Sequence, residues 1–185
     1  MGLNSSVELP RYLDSPDHMR SKTMVVDPDV CSGCQACEMA CSLKKGGEFA
    51  ASISRISIHK IESRSLAVPV LCQHCETSPC RDACPVGAIV KDATTGRVGV
   101  DPKRCTGCQR CRPVCPFGPE AIRMVNSVAV MCDLCDGAPA CVAVCQQGAL
   151  VYMPTTLSGL QKKWERAERS LRILASDRIE RVKMQ

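Results

Sequence analysis

The stretch VDPDVCSGCQACEMAC, residues 26–41, returns almost unchanged as VDPKRCTGCQRCRPVC, residues 100–115, at a constant offset of 74. The chain has 185 residues and 16 cysteines. Those cysteines fall into four groups of four with none left over. The groups are Cys31, Cys34, Cys37, Cys41; Cys72, Cys75, Cys80, Cys84; Cys105, Cys108, Cys111, Cys115; and Cys132, Cys135, Cys141, Cys145. Groups one and three share the spacing C-x2-C-x2-C-x3-C, and groups two and four stretch the second gap around Pro79 and Pro139. Groups two and four also continue alike, into Gly87-Ala88-Ile89-Val90 and Gly148-Ala149-Leu150-Val151. Agreement outside the cysteines marks an internal duplication, each copy carrying two cysteine groups.

Composition says what such a chain lacks. Only Phe49, Phe117, Tyr12, Tyr152 and Trp164 are aromatic, so hydrophobic packing alone makes a thin core. Disulfides or metal must add to it. Disulfides need an oxidising compartment. The N-terminal residues 1–20 show no apolar segment and no twin arginine, so the reading expects a cytoplasmic, reduced, metal-bound protein. Apolar runs such as Ala67 to Leu71 are too short to span a membrane. The formal charge of +5 counts every thiol as neutral. Metal binding removes those protons, and four cubane clusters at about −2 each bring the assembly to about −3. The apparent basicity is therefore no argument for a nucleic-acid partner. Lys44, Lys45, Arg81, Lys103, Arg104, Arg110 and Arg112 sit beside the cysteine loops as charge balance, as tuning groups or as a docking surface.

The spacing selects the metal. Three cysteines on one C-x2-C-x2-C loop reach three irons of a cube, and the fourth iron faces another chain segment, so the sixteen cysteines are read as ligands of four [4Fe–4S] clusters. A zinc ion wants four ligands on one atom, usually from two separated C-x2-C hairpins. Gly33 and Gly107 allow the tight turn inside each loop. His74 lies within a C-x2-C but is surplus to sixteen cysteines, so it is expected beside a cluster or at the surface, and His18 and His59 are expected to be solvated. No phosphate loop, nucleophile–base pair or flavin fingerprint occurs, which argues for a non-catalytic role.

Secondary structure is expected to be sparse. Residues 88–101 read as two short strands about a Thr-Thr-Gly turn, and residues 55–70 alternate as another strand pair. From Leu157 the character changes. Ser158 with Gln161 offers a capping box, and Leu157, Leu160, Trp164, Ala167, Leu171 and Leu174 form one stripe of an amphipathic helix. The stripe suits packing on its own domain or docking on a partner or another copy.

The run CQHCETSPCRDACPVGAIVKDATTGRVGVDPKRCTGCQRCRPVCP, residues 72–116, resembles the four-cluster iron–sulfur subunits of dimethyl-sulfoxide-reductase-type enzymes. Relatives of that type serve formate dehydrogenases, hydrogenases, carbon monoxide dehydrogenases and tungsten aldehyde oxidoreductases. The resemblance covers about residues 24–153. It implies an α+β fold of two ferredoxin-like domains, each with two [4Fe–4S] clusters, acting as an electron wire. Duplication alone would pair group one with two and three with four. The resemblance implies a nested order instead, and only Cys84 and Cys115 are followed by proline, which agrees with it. The implied ligand sets are Cys72, Cys75, Cys80 with Cys115; Cys105, Cys108, Cys111 with Cys84; Cys31, Cys34, Cys37 with Cys145; and Cys132, Cys135, Cys141 with Cys41.

The expected organisation is then an extended arm over 1–23, an outer domain from 24–70 and 117–154, an inner domain over 71–116, and a helix over 155–185 for docking or oligomerisation. Group one is assigned to an outer cluster and group three to an inner one. The expected partner is a larger catalytic subunit: a tungsten or molybdenum oxidoreductase first, then a carbon monoxide dehydrogenase or hydrogenase, with a flavin subunit or further copies of the chain as additional partners. A free polyferredoxin and a self-polymerising conducting scaffold remain the rival readings.

Overall fold

The computed structural model describes residues 22–183. The arm expected over 1–23 lies outside them except for Lys22 and Thr23, which open the first strand, β1 (Lys22–Val26). Among the described residues every sheet has two antiparallel strands. Three are local hairpins: β2 (Ile56–Ile61) with β3 (Leu66–Leu71), β4 (Ile89–Lys91) with β5 (Val98–Val100), and β6 (Arg123–Val125) with β7 (Val128–Val130). The first two are the pairs that alternation predicts. In the β4–β5 turn the Asp92 carboxylate accepts from the Thr94 and Thr95 amides at 2.9 and 2.7 Å, which folds the Thr-Thr-Gly segment back. The β6–β7 turn is carried by Asn126 and Ser127, both at positive φ, as a two-residue hairpin requires.

The fourth sheet joins the two ends of the cysteine region. Strand β1 pairs with β8 (Leu150–Pro154), Val26 opposite Leu150. In the local hairpin Val100 stands opposite Ile89. Just beyond these pairs Asp27 N donates to Ala149 O at 2.8 Å, and Asp101 N donates to Ala88 O at 2.8 Å. The two sheets are thus the same device built twice. The second copy closes it across one turn, whereas the first closes it with a strand that follows group four.

Side chains pack in three patches rather than one core. One gathers Met24, Val26, Ile56, Leu71, Leu134 and Leu150 around Cys37, Cys41 and Cys141. Another gathers Ile89, Val98, Ile122, Ala129 and Met131 around Cys111. Residues 122–131, expected in the outer domain, therefore pack with β4, β5 and Cys111. The hairpin β6–β7 lies against the group-three loop, where Ala129 N donates to Cys105 Sγ at 3.4 Å. The x3-C step after Cys37 lies within a helix of about three turns, α1 (Ala36–Gly46). Two one-turn helices, α2 (Pro79–Asp82) and α3 (Ala140–Ala143), begin at the end of the stretched gaps of groups two and four and carry their third cysteines, Cys80 and Cys141.

The last element, α4 (Leu157–Lys183), forms the third patch with the body of the protein. Ala167, Ile173 and Leu174 pack with Ile61, Val68, Val70, Phe117 and Ala121. The predicted stripe is only partly the buried one. Leu157 is 70% exposed and Trp164 43%, while Gly159, Lys163, Ser170 and Asp177 face inward. Polar groups replace the expected leucines because their partners lie on the surface beneath, as described below. The N-cap differs as well: Thr156, not Ser158, caps the helix, its Oγ1 accepting from Gly159 N at 3.2 Å. Outer contacts pin the helix to the chain before group one, Arg166 to Asp27 and Arg169 to Asp29, and to the β2–β3 hairpin, Arg64 to Glu180.

Candidate metal centres

The loops that carry the cysteines hold an unusual backbone. Gly33 and Gly107 have φ of 71° and 70°. Two residues later Gln35 and Gln109 follow at 63° and 60°, a conformation side-chain-bearing residues adopt at a cost of about 1–3 kcal/mol. The same strain at the same offset in both copies turns successive thiols toward one point. At Gly107 the fit is tight: an added Cβ would stand 2.4 Å from Ser127 O, a backbone atom of the neighbouring hairpin. At Gly96, with φ of 68°, an added Cβ would touch nothing within 4 Å. Gly107→Ala is therefore expected to lower the denaturation midpoint well beyond Gly96→Ala, which costs only the left-handed backbone, about 1–2 kcal/mol. Equal losses would show that the β6–β7 hairpin does not press on this loop.

All sixteen sequence-predicted cysteines lie among the described residues, and none is joined in a disulfide. They converge on four cavities. One is walled by Cys31, Cys34, Cys37 and Cys145, and is the widest at about 770 Å³. The second is walled by Cys72, Cys75, Cys80 and Cys115, the third by Cys84, Cys105, Cys108 and Cys111, and the fourth by Cys41, Cys132, Cys135 and Cys141. These three span about 350, 340 and 320 Å³, part of it open to solvent. Such equal rooms suit one kind of guest, larger than an ion. Among the described residues no three His, Cys, Asp or Glu side chains come together closely enough to hold a single metal ion. Four thiols spread around a void fit a cube with an iron at each corner they face. Backbone amides complete the fit, with Arg55 N donating to Cys41 Sγ at 3.3 Å and Ala88 N to Cys84 Sγ at 3.2 Å.

The electrostatics favour cations in these rooms. Burial pushes the Cys37 and Cys132 thiols up to about 12 and those of Cys80 and Cys115 to about 11, with neighbouring thiols adding to the rise. Thiols held so high keep their protons until a cation replaces them, so metal loading releases protons. Cys34 and Cys108 are exposed. Groups one and three, expected in outer and inner places, thus both reach the surface; nesting in sequence is not depth in space.

Basic residues beside the loops are mostly engaged. Lys45 and Arg55 reach Asp133 at 2.7 and 2.6 Å, and Asp133 also accepts from Cys135 N at 3.0 Å. This aspartate, which sequence reasoning missed, ties group one to group four; its only signal was its place inside the fourth C-x2-C. Arg104 donates to Val86 O at 2.7 Å and Arg112 to Pro119 O at 3.2 Å. His74 is buried rather than superficial. Its Nδ1 accepts from Val98 N at 3.0 Å, so Nε2 carries the proton, and burial lowers its pKa to about 3, which keeps it neutral. The expectation that His59 is solvated fails: its Nε2 lies 2.8 Å from Asp177 Oδ2 on α4, a contact separated by 118 positions and invisible to local reading. His18 is outside the described residues.

Two family models match the chain, a 4Fe-4S dicluster domain over residues 64–156 and a 4Fe-4S binding domain over 28–44. The chain belongs to the 4Fe-4S dicluster family. Among its relatives is the polyferredoxin-like subunit of aliphatic sulfonate oxidoreductase from Pyrococcus furiosus, 37% identical over 67% of this chain and 71% of that one. The thiosulfate reductase electron transfer subunit PhsB of Salmonella typhi is 36% identical, covering 75% of this chain and 79% of its own. The putative oxidoreductase UacF of Escherichia coli is 38% identical over 77% of this chain, which spans only 22% of UacF. The 4Fe-4S dicluster match reaches from the β2–β3 turn to the cap of α4, so it includes groups two, three and four, while the 4Fe-4S binding match takes in the group-one loop. Among the described residues no helix is long and apolar enough to cross a membrane.

Proposed function

We propose that this chain is a non-catalytic electron-transfer subunit that holds four [4Fe–4S] clusters and relays electrons for a larger catalytic oxidoreductase subunit. The observation that carries the reading is the set of four cavities, each walled by four cysteines. The proposed ligands are those walls: Cys31, Cys34, Cys37 with Cys145; Cys132, Cys135, Cys141 with Cys41; Cys72, Cys75, Cys80 with Cys115; and Cys105, Cys108, Cys111 with Cys84. The matched strand pairs β1–β8 and β5–β4 support this nested order, because each brings the fourth cysteine of one group beside three of another.

Bound [4Fe–4S] clusters supply reversible one-electron chemistry, over potentials from about −700 to +450 mV. The chain's own contribution is their order. Cys37 interacts with Cys141, Cys132 with Cys72, and Cys80 with Cys111, so the four cysteine sets follow one another in a row. The exposed thiols, Cys34 and Cys108, belong to the two end sets. A row open at both ends suits a relay between two redox partners. The names of the Pyrococcus and Salmonella relatives support the subunit role. We favour a tungsten or molybdenum oxidoreductase as the catalytic partner, with carbon monoxide dehydrogenase or hydrogenase next, in a reducing cytoplasm. The outward edge of α4, with Leu157, Trp164, Ile179 and Val182 exposed, supports a partner-docking role for the helix.

Anaerobic co-purification tests the role: a stoichiometric large oxidoreductase subunit is expected, and a lone monomeric chain among its co-expressed neighbours would favour the free polyferredoxin. Cys115→Ser tests the ligand sets. It is expected to reduce iron from about 16 to about 12 per chain, or to alter one cluster signal, at the site of Cys72, Cys75 and Cys80. A lesion confined to group four would overturn the nested assignment.

A further inference from the structure

Lys163 is the one lysine or arginine among the described residues whose side chain is buried. It is 6% exposed, and charged side chains are almost never fully buried without a partner of opposite sign. Its Nζ donates to the neutral hydroxyl of Thr23 at 2.9 Å. Among the described residues it forms no ion pair with a carboxylate, whereas Lys45, Arg55, Lys91 and Arg166 each have one. A buried ammonium held by a hydroxyl and by the face of the Trp164 ring, 5.4 Å from its centroid, still lacks an anionic counter-charge.

The surroundings supply that charge. One turn along α4, Ala167 packs in the same apolar patch as Phe117 and Ala121, which line the Cys72, Cys75, Cys80 and Cys115 cavity, so this face of the helix lies directly behind that cavity's wall. The anions Lys163 senses most strongly are Cys75 and then Cys72, ahead of Glu76, and it is in turn the strongest favourable charge acting on Cys75. No carboxylate neutralises it as Asp133 neutralises Lys45 and Arg55 beside the Cys135 loop. Its field is therefore directed at one site. In a low-dielectric interior a fixed positive charge favours the state that carries one more electron.

We propose that Lys163 is the counter-ion of the [4Fe–4S] site formed by Cys72, Cys75, Cys80 and Cys115, and that it holds the reduction potential of that one site above what the ligands alone give. The proposal rests on the ligand sets proposed above. It makes Lys163 a positioning residue for electrons: docking α4 inserts a charge that makes one site of the row easier to reduce than its neighbours.

The test is an anaerobic redox titration of the full-length iron-loaded protein followed by electron paramagnetic resonance. Lys163→Met is expected to move one reduced-cluster signal to lower potential and leave the other three in place. Lys163→Arg, which keeps the charge, is expected to restore most of the shift, and Thr23→Val, which removes only the hydrogen bond, to move the signal less than Lys163→Met. If Lys163→Met does not load iron, Lys163→Gln carries the same expectation. Unchanged potentials, or equal shifts of all four signals, would overturn the proposal. Cys115→Ser separates this failure from that of the ligand sets. If the signal it alters is not the one Lys163→Met shifts, the counter-ion assignment falls; if Cys115→Ser spares the site of Cys72, Cys75 and Cys80, the ligand sets themselves fall.

Discussion

Stripping iron from the purified protein under anaerobic, reducing conditions is expected to unfold residues 22–183 almost completely. The reason lies in what the apolar patches contain. Cys37, Cys41 and Cys141 are part of one, and Cys111 of another. The strands are three to six residues long and paired only in twos, which is marginal for independent stability. Removing the guests leaves rooms of about 320–350 Å³. The apolar patches then lose the contacts that the guests supply, and short strand pairs have little with which to replace them in a domain whose whole stability is ordinarily about 5–15 kcal/mol. Repulsion among released thiolates adds to the loss at high pH. Far-ultraviolet circular dichroism and protease resistance would read the outcome. Retained secondary structure and resistance after complete iron removal would show that the apolar patches suffice, contrary to this account.

Truncation after Pro154 has the second large effect. Loss of α4 uncovers Ile61, Val68, Val70, Phe117 and Ala121, which pack on Ala167, Ile173 and Leu174. Deleting a single such side chain, as in Leu174→Ala, costs about 2–5 kcal/mol. Losing all three, together with the Lys163–Thr23 and His59–Asp177 contacts, is expected to leave little soluble protein. The ion pairs of Arg166 and Arg169 add little, since exposed pairs contribute about 0–1 kcal/mol each. Yield in the soluble fraction and iron per chain would check this. Soluble, iron-replete protein that has only lost its complex would mean that the helix serves a partner and not the fold.

Much of the local structure is legible in the residues. The hairpins β2–β3 and β4–β5 follow from alternation and from the Thr-Thr-Gly turn, because a strand pair joined by a short turn is decided by neighbours. The helical period of 157–174 is equally plain. Which side of that helix turns inward is not, since apolar periodicity ranks leucine above lysine wherever they stand. Here a buried hydroxyl at Thr23, thiols around Cys75 and an imidazole at His59 draw Lys163 and Asp177 inward, while Leu157 and Trp164 stay at the surface. Thr23 and His59 lie 140 and 118 positions away along the chain from the residues they draw inward, beyond the reach of any local pattern.

The sequence by itself determined the donor inventory: sixteen thiols in four groups, a duplication of 74 residues, and a spacing that wraps a cube rather than a single ion. Covalent spacing does this, because loop geometry is fixed over three or four residues. Tertiary structure alone decided the closure of β1 on β8, the joining of groups one and four through Asp133, and the inward turn of Lys163. Each of these depends on segments brought together from opposite ends of the chain, where the decisive quantity is which buried charge or hydroxyl meets which.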